Sequence, residues 1–292
     1  MKPPRFEYHV PQSLDEALGL LDRFSGDARI LAGGQSLVPL MNMRLARPQR
    51  IVDINRLAEL DYIRIDDDYL SIGALTRHRA IEQSQTVLTA CPLLSKAVGF
   101  VGHPQVRSRG TIGGSLAHAD PAAEYPAVAA ALDGEIKLRS LRGDRIVGWR
   151  QFFISDYATE ATPDEILIEV RFPRARGSSA CEFVELSRRH GDFALVEAAV
   201  QIEFDEKKTC SRVAIGLGGV GGIPFRASLS EEILRGKLPG KNNIHEAASA
   251  ATENLDPVSD VHASAAYRKQ MVSLLVSRAL ERATGLHSVK EA

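Results

Sequence analysis

The chain opens with a regular exchange between alternating and helical patterns of apolar residues. Alternation over residues 6–10 predicts a short first strand. Ser13 precedes apolar positions spaced by three and four residues, and Glu16 completes a capping box, so a helix is expected next. Apolar runs at 28–32 and 50–54 predict two further strands. The opening is therefore predicted to be β-α-β-loop-β.

The middle of the chain mixes strand-like and helical segments. Residues 63–73 and 135–149 have the pattern of β-hairpins, and 165–173 form a strong strand that ends at a proline. Short helices are predicted at 77–84 with Thr76 as cap, from Pro92 to about Val98, and at 122–132 with Asp120-Pro121 as cap and first residue.

The last third changes character after a basic, small-residue segment at 174–180, where we place a domain boundary. Three apolar segments follow in a row and suit an antiparallel meander; they are 181–187, 194–204 and 212–218. The remainder is predicted to be helical, at 228–235, 243–253 and 266–283.

Composition and charge restrict the function classes. The 292 residues are 44% hydrophobic and 25% charged, as in ordinary globular proteins, and the formal net charge is −1. That balance gives no reason to expect a nucleic-acid partner. No apolar run approaches the ~20 residues of a membrane span. The polar, proline-rich start is unlike a signal peptide, so we expect a cytoplasmic protein.

The three cysteines, Cys91, Cys181 and Cys210, are odd in number and widely spaced. They contain no Cys-x-x-Cys pair, which argues against a disulfide framework, a zinc site or an iron–sulfur cluster on this chain. If the protein transfers electrons, its iron–sulfur partners are expected on other chains.

Two loops carry the candidate chemistry. Gly33-Gly34 is followed by Gln35-Ser36, and Gly113-Gly114 by Ser115, each after a β-branched approach. Paired glycines let backbone N–H groups approach a ligand closely, and a run of such groups binds anions. Two loops of this kind could hold the two phosphates of a dinucleotide, with hydroxyls from Thr111 and Ser115. Either loop could instead be only a tight turn.

Other motifs have less specific explanations. Residues 216–221 match Gly-x-Gly-x-x-Gly, but Pro224 follows where the required helix would be, so we interpret them as a glycine-rich strand exit. His118 lacks a nucleophile and a third partner, and it is interpreted as structural, like His103. Asp66–Asp68 is interpreted as a solvated hairpin tip rather than a metal site. We therefore assign no catalytic and no metal-binding residue.

Taken together, the motifs resemble one known family along nearly the whole chain. The matching segments are AGGQSLVPLMNMRLARPQRIVDI, VGHPQVRSRGTIGGSLAHADPAAEYPA, EILIEVRFP, ELSRRHGDFALVEAAV and YRKQMVSLLVSRAL. They resemble the FAD-binding medium subunit of molybdenum hydroxylases. The resemblance implies an α+β fold: a FAD-binding domain of the vanillyl-alcohol-oxidase type at 1–176, with subdomains at about 1–56 and 57–176. A C-terminal domain at 177–292 would hold a three-stranded antiparallel sheet with helices.

The resemblance also implies which residues contact FAD. They are Ala32, Gly33, Gly34, Gln35, Ser36, Leu37, Thr111, Gly113, Gly114, Ser115, Glu124, Leu167 and Phe193. Glu124 corresponds to an acidic contact of the family, although an acid in the first turn of a helix is also favoured by the helix dipole. Phe193 stands where some relatives have Tyr. Glu185 departs from the family, because some relatives carry a basic FAD-contacting residue there.

The function implied by the resemblance is electron transfer. A large subunit with a molybdenum cofactor would hydroxylate the substrate, and a small subunit with two [2Fe–2S] clusters would pass the electrons to FAD on this chain. An external acceptor would then be reduced, and the assembly is expected to be a dimer of heterotrimers. An N-heteroaromatic substrate is favoured by analogy. The alternatives are a self-sufficient FAD-dependent oxidase or reductase and a non-catalytic structural subunit.

Overall fold

The computed structural model describes residues 2–286 except residues 25, 67 and 176. The first elements are β1 Glu7–His9, α1 Leu14–Phe24, β2 Ala28–Leu31, α2 Leu37–Asn42, β3 Arg50–Asp53 and a 3₁₀ turn at Ala58–Leu60. The three strands form a parallel sheet in the order β1-β3-β2. The apolar stripe of α1 packs on this sheet, so that Leu18 and Val52 share one core. The predicted opening is confirmed.

A second sheet has five antiparallel strands in the order β4-β5-β10-β6-β7. The bounds are β4 Ile63–Ile65, β5 Tyr69–Gly73, β6 Glu135–Ser140, β7 Gly143–Gly148 and β10 Ile166–Pro173, with a small pair β8 Phe153–Ser155 and β9 Ala158–Thr159. The accompanying helices are α3 His78–Glu82, α4 Gln85–Ala90, α5 Pro92–Ala97, α6 Pro104–Arg107, α7 Ile112–His118, α8 Glu124–Leu132 and α9 Trp149–Phe152. Both predicted hairpins and the strong strand are present.

The third sheet is the predicted meander with one short strand added. Its strands are β11 Ser178–Ser187, β12 Ala194–Phe204, β13 Cys210–Gly218 and β14 Phe225–Arg226, in that order. The last helices are α10 Ser228–Leu234, α11 Lys241–Ala250 and α12 Ala265–Thr284. The expectation of three strands misses β14, because two residues are too short to show a period. Residues 216–221 end β13 without a following helix, as expected.

Helix α8 joins the second and third sheets. All nine of its residues are buried, and it shares a core with Phe172 of β10 and Ala199 of β12. A Cβ on Gly216 of β13 would clash with the carbonyl oxygen of Ala127 and lie 2.8 Å from the N atom of Ala131. Glycine at this position therefore lets the helix lie directly on the sheet. Pro126 is tolerated because it falls in the first turn of the helix.

Two of the three predicted helix caps are wrong. Ser13 does cap α1, and its Oγ accepts a hydrogen bond from the N–H of Glu16 at 3.2 Å. Thr76 does not cap α3, whose cap is Arg77, because the Thr76 hydroxyl is engaged with the backbone of Tyr62. Asp120 does not cap α8, which begins only at Glu124; its carboxylate instead accepts from the N–H of Ala122 at 3.0 Å.

Several predictions concern residues at the edge of what is described. Of the proposed boundary segment 174–180, residue 176 lies outside the described residues, and β11 already begins at Ser178. The two-domain division stays a prediction. Residue 67 of the acidic hairpin tip also lies outside the described residues.

The thiols of Cys91, Cys181 and Cys210 are all free. No helix in the described part of the chain is long and apolar enough to cross a membrane.

The contact between α8 and β13 can be tested with a single methyl group. Gly216→Ala places its Cβ against the Ala127 carbonyl, so we expect a loss of about 1–3 kcal/mol in the free energy of unfolding. Urea denaturation of the purified chain measures it. Gly19→Ala is the matched control, since nothing lies within 4 Å of its Cβ and alanine stabilises a helix interior. Equal stability of the two variants would contradict the close packing.

Candidate functional site

The first glycine loop presents unpaired backbone donors. It joins β2 to α2, and Gly34 has φ +72°, a left-handed conformation that favours glycine. Within the described residues, the N–H groups from Gly33 to Leu37 have no hydrogen-bond acceptor. Five consecutive N–H groups without a protein partner are suited to an anionic ligand. The sequence prediction for this loop thus has a geometric basis.

The second glycine loop is built differently, and one expectation about it is wrong. Its glycines do not offer accessible N–H groups. The N–H of Gly113 donates to the Ala74 carbonyl at 3.0 Å, and that of Gly114 donates to the Thr111 hydroxyl at 3.1 Å. Gly113 and Gly114 lie in the first turn of α7, and an added Cβ on Gly113 would lie 2.5 Å from the Cβ of Ala74, the residue just after β5. These glycines serve close packing, so the Ser115 hydroxyl is the hydrogen-bonding group of the three residues that remains for a ligand, and the glycines can offer only van der Waals contact.

The two loops lie against each other. A Cβ on Gly33 would clash with the Arg109 carbonyl oxygen and lie 2.7 Å from the Gly110 Cα. Asn55, just after β3, donates from Nδ2 to the Ala32 carbonyl at 2.7 Å. Its Oδ1 accepts from Arg77 Nη2 at 2.7 Å, and Arg77 Nη1 donates to the Arg109 carbonyl. Asn55 and Arg77 therefore form a polar clamp, the Asn55–Arg77 clamp, between the loops.

A buried histidine packs against the second loop at Gly110. The Nδ1 atom of His78 lies 3.1 Å from the Tyr125 hydroxyl, and its Nε2 would lie 2.6 Å from a Cβ on Gly110. Burial lowers the pKa of His78 to about 3, and Arg77 and Arg107 add to this. The ring is therefore neutral at physiological pH and acts as a spacer that leaves room only for glycine at position 110.

The remaining predicted contacts come from more distant parts of the chain. Leu167 is buried beside an irregularity in β10, where the carbonyl of Ile168 accepts from the Ala74 N–H at 3.0 Å. Ala74 in turn packs on Gly113, so β10 reaches the second loop. Phe193 lies in the turn between β11 and β12 and is 71% exposed. Gly191 in the same turn lies against the ring of His103, the residue that caps α6.

Some charged groups near the second loop are buried and paired within the protein, and others are exposed. The buried guanidinium of Arg107 pairs with Glu82 at 3.0 Å and donates to the Gly102 carbonyl at 2.8 Å, so it is committed to the protein. Arg109 is exposed. His118 is half-buried, its ring centroid lies 5.1 Å from that of Tyr157, and burial lowers its pKa. This packing agrees with the structural role expected for it.

Three glutamates converge where α8 meets the third sheet. Glu185 of β11 and Glu197 of β12 are directly opposite in the strand pair, and Glu124 is the first residue of α8. Burial raises the pKa of Glu124 to about 8, with further contributions from Glu185 and Asp120. Burial raises the pKa of Glu185 to about 7. Burial and the charge on Glu124 raise the pKa of Glu197 well above its ordinary value.

Sequence reasoning missed the groups that hold the site together. Asn55 follows the carboxyl end of a parallel strand next to a glycine loop, which is a recognised position for ligand-site residues. Glu197 sits in the apolar strand pattern on the same face as Ala199, and a charge on a core face is also a signal. No local sequence pattern indicates the role of Arg77, because its partners lie 22 and 32 residues away along the chain.

Comparison with known proteins identifies the class. Residues 4–175 match the family model of the FAD binding domain in molybdopterin dehydrogenase. Residues 182–283 match that of the CO dehydrogenase flavoprotein C-terminal domain. The chain is therefore a flavoprotein with a FAD-binding domain.

Individual relatives match this chain over nearly their whole length. The chain is 45% identical to the 6-hydroxypseudooxynicotine dehydrogenase complex subunit alpha of Paenarthrobacter nicotinovorans, with 97% of this chain and 96% of the relative covered. It is 39% identical to the caffeine dehydrogenase subunit beta of a Pseudomonas species, with 97% and 96% covered. A solved chain of carbon monoxide dehydrogenase from Hydrogenophaga pseudoflava superposes with a TM-score of 0.94 at 37% identity, with 99% of this chain and 100% of that chain covered.

The chain belongs to the FAD-binding medium subunits of the molybdenum hydroxylases, the family of carbon monoxide dehydrogenase and xanthine dehydrogenase. The chain has an α+β fold and is an oxidoreductase subunit of a heteromeric complex, as the resemblance implied.

The Asn55–Arg77 clamp is open to a direct test. Asn55→Ala leaves the Ala32 carbonyl and the Nη2 group of Arg77 without their Asn55 partner, so we expect a loss of about 1–3 kcal/mol in unfolding free energy. Amide hydrogen exchange is expected to quicken in both glycine loops. Asn242→Ala, at an exposed position of α11, is the control. Unchanged exchange in the second loop would show that the clamp does not connect the loops.

The buried Glu197 predicts a pH-dependent stability. Its pKa is higher folded than unfolded, so the folded chain binds more protons and loses stability as pH rises from the unfolded pKa of about 4.3 towards the folded pKa. Glu197→Gln removes this loss. As pH rises, the unfolding free energy of the variant therefore gains on that of the wild type by at most about 1.4 kcal/mol per pH unit. Thermal unfolding across this pH range measures the difference. A constant difference would mean that Glu197 is ionised when folded.

Proposed function

We propose that the chain binds FAD across the two glycine loops and transfers electrons from partner subunits to an external acceptor. The observation that carries the proposal is the row of unpaired N–H groups from Gly33 to Leu37. The proposed contacts are Ala32, Gly33, Gly34, Gln35, Ser36, Leu37, Thr111, Gly113, Gly114, Ser115, Glu124, Leu167 and Phe193. The N–H row and the Ser115 hydroxyl supply donors of the kind that a diphosphate requires.

Each part of the site has a distinct task in this proposal. The first loop holds the diphosphate, while the second loop gives a hydroxyl and a packed wall. Leu167 excludes water, and Phe193 contributes an exposed aromatic face. When bound, FAD supplies two-electron redox chemistry, and the surrounding backbone donors and carboxyls tune its potential. We assign no acid–base residue of this chain to the reaction, since His118 packs on Tyr157.

The proposed partners rest on the family of the chain and on the metal-ligating groups that its described residues do not contain. The described residues contain no cluster of metal-ligating side chains, and the three free thiols are far apart in sequence. Electrons are therefore proposed to come from [2Fe–2S] clusters of a small subunit, which receives them from a large molybdenum-cofactor subunit. We propose a dimer of such heterotrimers in the cytoplasm. Its substrate is proposed to be N-heteroaromatic, because relatives named for 6-hydroxypseudooxynicotine and caffeine are 45% and 39% identical to this chain.

The first loop gives a sharp test of FAD placement. Gly33→Ala forces the loops apart at the Arg109 carbonyl, so we expect FAD to bind at least about tenfold more weakly. Quenching of flavin fluorescence on titration into the full chain measures the dissociation constant. Gly99→Ala is the control, because its Cβ would meet nothing closer than the Lys96 carbonyl at 3.5 Å. Unchanged affinity in Gly33→Ala would place the diphosphate elsewhere.

The purified complex distinguishes this function from the alternatives. Flavin and iron–sulfur absorbance together, with two co-purifying chains, are expected. A flavin on a lone chain that is bleached directly by a small-molecule substrate would instead favour a self-sufficient flavoenzyme. Absence of flavin after incubation with FAD would leave the structural role.

A further inference from the structure

The three converging glutamates, Glu124, Glu185 and Glu197, form a buried carboxyl cluster. Register places Glu197 opposite Glu185 on one side and opposite Gly218 on the other. A Cβ on Gly218 would lie 2.7 Å from the Glu197 Cδ, so the Glu197 side chain lies directly over this glycine. Residues 185, 197 and 218 all lie on the face of the third sheet that meets α8. Alternation puts Val196 and Ala198 in the opposite core.

No cation among the described residues lies within ion-pair distance of the cluster. Glu197 has no exposed surface, and neither of its carboxyl oxygens has a hydrogen-bond partner among the described residues. The Oε2 atom of Glu185 is likewise buried without a partner. No group of side chains in the described part of the chain has an arrangement that could hold a metal ion. Uncompensated buried carboxylates are costly, and protonation removes that cost.

Other ionisable groups around the cluster are already committed. Asp120 lies nearby in the loop before α8, and Arg107 pairs with Glu82. From α12, Arg268 pairs with Asp260 through Nη2 and donates through Nη1 to the carbonyls of Leu195 and Gly219, while its buried Nε has no partner among the described residues. On the α5 side, Lys96 pairs with Glu182. Tyr125, next to Glu124, contacts His78. None of the described cations contacts a cluster carboxyl within ion-pair distance, and Asp120 adds to the negative charge.

We infer that Glu124, Glu185 and Glu197 form a proton-holding site whose occupancy follows the charge of the cofactor beside it, so that FAD binding takes up a proton. The inference rests on the proposed placement of FAD, which puts Glu124 at the cofactor. Each proton comes from solvent and adds to one carboxylate oxygen, and no other bond changes. The anionic cofactor makes ionised carboxylates less favourable, which raises their proton affinity in the bound state.

The sign of the pH effect follows from linkage. The bound state holds more protons than the free state, so FAD binding weakens as pH rises through the range in which the free cluster loses its protons. Glu185 and Glu124, with pKa values of about 7 and about 8, place that range around and above neutrality. Uptake of one proton corresponds to about a tenfold increase in the dissociation constant per pH unit.

The first experiment measures FAD affinity of the full chain from about pH 6 to about pH 9, a range spanning these carboxyl pKa values. The wild type is expected to approach the tenfold-per-unit slope. Glu185→Gln should bind FAD with a much smaller slope. Glu206→Gln, at an exposed turn of the same sheet, is the control and should keep the wild-type slope.

A second experiment detects the proton itself. The C=O stretch of a protonated carboxyl is expected in the infrared spectrum of the wild-type chain at neutral pH, without FAD. It should weaken in Glu197→Gln and persist in Glu206→Gln.

The outcomes separate the two proposals. Failure of the wild type to bind FAD at any pH would overturn the proposed FAD site, while the infrared band would still support the cluster. Tight binding with a pH-independent dissociation constant would overturn the proton uptake alone. Absence of a protonated carboxyl band in the wild type would overturn the proton-holding cluster whether or not FAD binds.

Discussion

The contact between the two glycine loops is the constraint on which the rest of the site depends. One loop ends a strand of the parallel sheet, and the other runs from the end of α6 into the first turn of α7, beside the antiparallel sheet. The Asn55–Arg77 clamp joins them through the carbonyls of Ala32 and Arg109. Gly33 allows the backbones of the two loops to touch, because a Cβ there would clash with the Arg109 carbonyl oxygen.

The third sheet adds what the loops lack. Helix α8 carries Glu124 from the second loop to the sheet, and Gly216 lets the helix lie close enough for Glu124 to meet Glu185 and Glu197. The turn between β11 and β12 reaches back to His103 and brings Phe193 with it. The proposed FAD site thus draws on residues beside all three sheets, and the third sheet contributes the buried carboxyl groups.

Local patterns were sufficient for most elements but not for the interactions between them. The helix after Ser13 and the meander follow from periodicity alone, because each depends on neighbouring residues. Thr76 and Asp120 were assigned wrongly as caps, since their side chains are engaged with Tyr62 and Ala122 instead. The Gly113-Gly114 pair was found, but its role in packing on Ala74 is a long-range contact that no local pattern shows. The family resemblance supplied the cofactor, which the residues alone suggested only as a dinucleotide.

A structure of the purified complex with FAD bound would locate the diphosphate. Its oxygens are expected within hydrogen-bond distance of the backbone N–H groups from Gly33 to Leu37, with the Asn55–Arg77 clamp intact beside them. A diphosphate bound away from this loop, with those N–H groups still unpaired, would contradict this placement.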